Sequence, residues 1–208
     1  MLSILREAGW PIWPLLATSV LGLALIFERF LSLRRGLVMP RGLNEQVAEM
    51  LRNRQDTPES INRLERNSPL GRVLAEVMRH RHLPREELRN VVEDAGRAVA
   101  HDLSRYISAI GTIAVIAPLM GLFGTVVGMI QMFLGILDHG IGDASQLAGG
   151  IGKALVCTAT GMIVAIPALA FHRYFRGRIA SYIVDMEHEA MRLQDVLDEA
   201  AAGRGRQD

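Results

Sequence analysis

Charged side chains are segregated along this chain. Three stretches hold no Asp, Glu, Lys or Arg, namely Ala8 to Phe27, Tyr106 to Leu137 and Ala154 to Phe171, while the sequence between and after them is densely charged. Apolar runs of about 18 residues or more match the hydrocarbon core of a bilayer, so the pattern predicts an all-α polytopic membrane protein with three transmembrane helices. As a helix the second run would measure about 48 Å against a core of about 30 Å, which predicts that it extends into the cytoplasm. The first run is long for a signal peptide, carries Pro11 and Pro14 near its start, and ends in Glu28-Arg29 instead of a small-residue cleavage site. It reads as an uncleaved span with Trp10 and Trp13 at the interface.

Between the first two spans the period changes to that of amphipathic helices. Leu43, Val47 and Leu51 define one face; Ser68-Pro69 reads as an N-cap and first-turn proline ahead of Leu70, Val73, Leu74, Val77 and Met78; Leu88, Val91, Val92, Ala95 and Val99 continue the pattern. No breaker separates this last helix from the second span. After the third span, Ile179, Ile183, Met186, Ala190, Leu193 and Leu197 alternate steps of four and three, a heptad seam. The tail from Ala200 to Asp208 reads as frayed. The predicted organisation is a first span within 1–28, a cytoplasmic helical domain over 29–105, an extended second span over 106–137, a short link over 138–143, a third span over 144–172, and a C-terminal helix and tail over 173–208.

Arginine placement sets the direction. Arg29, Arg34, Arg35 and Arg41 follow the first span, Arg97 and Arg105 precede the second, and Arg173, Arg176 and Arg178 follow the third, whereas the other side offers only Arg6 beside Glu7 and a link with Asp138 and Asp143. The positive-inside rule puts the N-terminus and the link outside and the arginine-rich segments in the cytoplasm. A net charge of +1 argues against generic nucleic-acid binding.

Small residues recur along the second and third spans. Ala117, Gly121, Thr125, Gly128 and Gly135 fall at steps of three, four or seven, and so do Gly150, Ala154, Thr158, Gly161 and Ala165; Gly124 adds a further small residue. Such stripes let helix backbones approach, and hydroxyls near their middle can bond across or line a wet path. Lys153 is the single lysine among 23 basic side chains and lies roughly 15 Å along the helix from Asp143. Two readings stand for it: a residue of the lumen that needs an acidic partner, or a side chain that snorkels to the outer interface. Pro118 and Pro167 each remove a helical hydrogen bond and read as kinks.

Other chemistry is excluded or weak. Cys157 is the only cysteine, so neither an internal disulfide nor a multi-thiol zinc cluster can form. His80, His82, His101 and His172 lie at or outside membrane boundaries without a converging ligand set, so no metal is expected. Phosphate loops, nucleophile elbows and paired catalytic acids are absent, which argues against an enzyme and against a resident cofactor.

The segments Ala117 to Ile130 (APLMGLFGTVVGMI) and Gly150 to Pro167 (GIGKALVCTATGMIVAIP) closely resemble the ExbB/TolQ/MotA proton-channel family, ExbB most. The resemblance implies a proton-motive-force-driven motor subunit in a Gram-negative inner membrane. It implies a homo-oligomer, a pentamer, around ExbD-like single-span subunits, with TonB delivering the motion to outer-membrane transporters. By motif position Thr125 and Thr158 match polar residues lining the pore beside the partner's aspartate. One position departs: where ExbB and TolQ typically place a glutamate in the third span, this chain has Lys153, so no proton-relay carboxylate carries over there. The rival readings are a TolQ-like envelope or gliding and secretion motor, and, from another class, a non-conducting membrane scaffold.

Overall fold

The computed structural model describes residues 10–53, 55–139 and 144–204, and those residues are helical apart from turns and short links. Arg6 and Glu7, most of the predicted link and the last residues of the tail lie outside them. The helices are α1 (Ile12–Ser32), α2 (Arg35–Val38), α3 (Leu43–Arg52), α4 (Pro58–Asn67), α5 (Pro69–Arg79), α6 (Arg85–Leu103), α7 (Ile107–His139) and α8 (Ala144–Arg204). Among the described residues three helical stretches are long and apolar enough to cross a membrane: Ile12–Ser32, Ile107–Leu137 and a window within Ala148–Glu199. Pro118 and Pro167 sit inside helices that continue through them, and α8 runs on to Arg204 where the tail reads as frayed.

The chain divides into two compact units, the first formed by Met1–Arg29 with Tyr106–Tyr174 and the second by Phe30–Arg105 with Phe175–Asp208. In the first unit the α7 and α8 segments run antiparallel, and α1 lies along both. Ile12 clusters with Cys157, Leu16 and Val156; Leu15 clusters with Ala117, Ala165, Met120 and Val164. Arg29 is 6% exposed, with its guanidinium 2.5 Å from the Glu28 carboxylate and 5.0 Å over the Tyr106 ring. The remaining faces carry Val115, Leu119, Leu122, Val126, Leu155 and Ile163 outward, the composition a hydrocarbon surround requires.

The second unit is a packed helical domain. Ser68 ends α4 in an extended conformation, and its hydroxyl accepts the Gly71 amide at 3.0 Å to start α5. This corner needs glycine at the third position of α5, since a Cβ on Gly71 would fall 2.2 Å from the Leu64 carbonyl oxygen. Val73, Leu74, Ala75 and Val77 are fully buried, and α5 packs on α2, α4 and α6. The C-terminal part of α8 contributes Phe175, Ile179, Tyr182, Met186, Ala190 and Leu193 to this core, and the Tyr182 hydroxyl donates to the Leu33 carbonyl at 2.8 Å.

The heptad seam packs inside the second unit, with Tyr182 buried beside it. One expectation changes here. The stretch before the second span is interrupted: α6 ends at Leu103, and residues 104–106 form a turn. The Ser104 hydroxyl donates back to the Ala100 carbonyl at 2.7 Å, the local competition that lets serine end a helix without glycine or proline.

Candidate functional site

The two small-residue stripes meet along the seam between α7 and α8. A Cβ on Gly161 would lie 2.7 Å from the Ala117 carbonyl oxygen and 3.1 Å from the Gly121 Cα; one on Gly121 would lie 2.9 Å from the Cys157 carbonyl. Gly124 faces the Cys157 Cβ at 2.6 Å, Gly128 faces the Ala154 Cβ at 3.4 Å, and Gly150 faces the Met132 Cβ at 2.9 Å on the same measure. Most of these approaches leave no room for a side chain, which is the geometry that glycine permits between helices in a bilayer.

Thr125 and Thr158 are half-buried on this seam. Thr158 Oγ1 points at the Gly121 carbonyl across the seam at 3.5 Å, the outer limit of a hydrogen bond, and Thr125 Oγ1 donates within its own helix to the Leu122 carbonyl at 2.6 Å. The two hydroxyls are not bonded to each other. Each spends its one proton on a backbone carbonyl and keeps lone pairs free to accept from water.

Their common rim follows from the helix period. Met120 on α7 and Val156 on α8 line the side covered by α1. Thr125 follows Met120 by five residues, a turn of about 140° around the helix, and Thr158 is on the far side of α8 from Val156. On antiparallel right-handed helices these rotations bring both threonines to the rim opposite α1. Lys153 is not brought to them. It precedes Val156 and Cys157 by three and four residues, so it shares the α1-side stripe, about 140° from Thr158, with its side chain exposed.

One residue that sequence reasoning left at the boundary belongs to the seam. His172 is half-buried, and a Cβ on Gly111 would fall 2.8 Å from its Nε2 and 2.9 Å from its Cδ2. The signal was present as spacing: Thr158, Ala165 and His172 recur every seven residues, as do Gly111, Pro118 and Thr125 on the facing helix. Among the described residues no group of three or more His, Cys, Asp or Glu side chains could hold a metal ion.

These features define a polytopic helical membrane protein whose second and third spans are zipped by glycine and carry hydroxyls at mid-seam. Residues 65–188 match the model of the MotA/TolQ/ExbB proton channel family. The chain is 32% identical over 167 residues to the "Putative biopolymer transport protein ExbB-like 3" of Synechocystis sp., covering 78% of this chain and 79% of that protein. It is 29% identical over 173 residues to "Biopolymer transport protein exbB1" of Vibrio cholerae, covering 79% and 74%. Over 85 residues it is 39% identical to "Biopolymer transport protein ExbB" of Salmonella typhimurium, covering 41% of this chain and 35% of that protein. The chain belongs to the MotA/TolQ/ExbB proton channel family. Its members are channel proteins, not enzymes.

Proposed function

We propose that this protein is the wall subunit of a proton-driven motor that works with an ExbD-like single-span partner to energise TonB-dependent transport across an outer membrane. The observation that carries the reading is the pair of half-buried hydroxyls, Thr125 and Thr158, on one rim of a glycine-packed seam within a proton-channel family. In an apolar span a hydroxyl with free lone pairs is the cheapest group that can hold water beside a partner's carboxylate without carrying a charge itself.

In this reading several copies, five by family resemblance, form a ring in a Gram-negative inner membrane. The threonine rims face inward, the N-terminus lies in the periplasm and the C-terminus in the cytoplasm. The arginine distribution supports that orientation. Lys153 lies off the threonine rim and takes no part in the path.

The test is reconstitution with a co-encoded single-span protein bearing a membrane aspartate. The expected result is a complex that survives purification and passes protons under an imposed gradient, with flux abolished by Asp→Asn in the partner. A chain that assembles alone, binds no such partner and conducts nothing would be a scaffold.

A further inference from the structure

The seam does not stop at the threonines. Two heptads from Thr158, on the arginine-rich side, α8 presents His172 to Gly111, which stands two heptads from Thr125 on α7. The imidazole is half-buried, and its Nε2, Cδ2 and Cε1 all come within 3.4 Å of where a Gly111 side chain would begin. It forms no hydrogen bond or ion pair among the described residues. Of the described side chains of the first unit it is the only imidazole, and imidazole is the side chain whose ordinary titration falls between pH 5 and 8.

We propose that His172 is the proton-exchanging group at the arginine-rich end of the threonine path, and that Gly111 is there to keep its ring on the seam. The inference rests on the proton-motor reading above and adds a residue to it. A neutral imidazole accepts a proton at one ring nitrogen and releases one from the other, so it passes a proton on without net change once it is again neutral. The charged groups around it set the sign. Arg173 is its neighbour on α8, and α1 brings the mutually paired Glu28 and Arg29 to this end of the unit; the turn before α7 contributes the Tyr106 phenol. With Arg173 beside it and Glu28 paired to Arg29, a protonated His172 repels the next proton. Flux therefore falls as this side is acidified.

The experiment uses the complex with its single-span partner in proteoliposomes. Both compartments are shifted together from about pH 7.5 to about 5.5 at a constant gradient, across the span where imidazole titrates. Wild-type flux is expected to fall about threefold or more over this range, beyond any change in driving force. H172Q should give lower flux that is flat with pH. G111A, which pushes the ring off the seam, should flatten the profile in the same way. The G111A/H172A double variant, in which ring and space are exchanged for two methyl groups, should keep the wild-type complex yield and lack the pH dependence. An H172Q profile that keeps the wild-type shape overturns the proposal, as does a pH-dependent profile in the double variant if H172Q fails to assemble. A wild-type complex that conducts no protons at any pH instead refutes the motor reading.

Discussion

Thr158 reaches 3.5 Å to the Gly121 carbonyl, while Gly161 on the next turn has Ala117 backbone at 2.7 Å from where its side chain would start. The two positions should therefore fail in different ways. A bond so long adds less than the roughly 1 kcal/mol of an ordinary one, so Thr158→Val should leave thermal stability in detergent nearly unchanged. Proton-motive-force-driven uptake in cells should nonetheless drop several-fold, and full uptake with both Thr125→Val and Thr158→Val would make the hydroxyls structural. Gly161→Ala has backbone, not a flexible side chain, in its way; a loss of about 1–3 kcal/mol and a fall in folded yield are expected. Gly152, with nothing within 4 Å of its would-be Cβ, is the control: Gly152→Ala should be neutral or should stabilise the helix by about 0.5–1 kcal/mol. Lys153→Gln should leave uptake within about twofold of wild type, since the side chain rides the α1-side stripe. The sequence left Lys153 open between lumen and outer interface, although the five-residue step from it to Thr158 turns a helix by about 140°. Heptad spacing put His172 and Gly111 each on its own helix's stripe, but their closeness was not legible, since its cause is the register of two helices across a link.

Among the elements longer than one turn, α4 was hidden from periodicity. Thr57-Pro58 opens it with the same cap and first-turn proline as Ser68-Pro69 opens α5, and the Thr57 hydroxyl accepts the Ser60 amide at 3.3 Å. But only Ile61 and Leu64 follow as large apolar residues, too few to declare a period. The turn at 104–106 was hidden for another reason: a serine back-bond ends a helix without any residue that reads as a breaker. The spans, in contrast, were plain, because excluding charge from about 20 consecutive residues leaves little but a membrane helix. At the α4–α5 corner, Ser68→Ala removes the cap and should cost about 1 kcal/mol, read as about fivefold faster amide exchange in the first turn of α5. Gly71→Ala should be far more damaging, because its Cβ would meet the Leu64 carbonyl at 2.2 Å, with exchange accelerated throughout α4 and α5.

For the whole molecule, the proposed assembly would have to draw on surfaces other than the small-residue stripes and the heptad seam. Small-residue stripes and heptad seam would together supply contacts between copies, yet the stripes close on each other and the seam is spent on the second unit's core. A ring of the proposed kind would therefore be built from faces that a single copy leaves open. Native mass spectrometry of the detergent-extracted complex should show a closed oligomer, and a monomer that persists at micromolar concentration with the partner present would rule the ring out. The same tight closure has a practical side. Cys157, the one thiol in the chain, is 2% exposed, enclosed by Gly124 and Ile12. A maleimide dye should thus leave the native protein unlabelled and mark it within minutes in hot SDS, giving a built-in gauge of whether the three-helix unit is shut. Against that silent background, a cysteine introduced at any outward position can be tagged without first removing the native one.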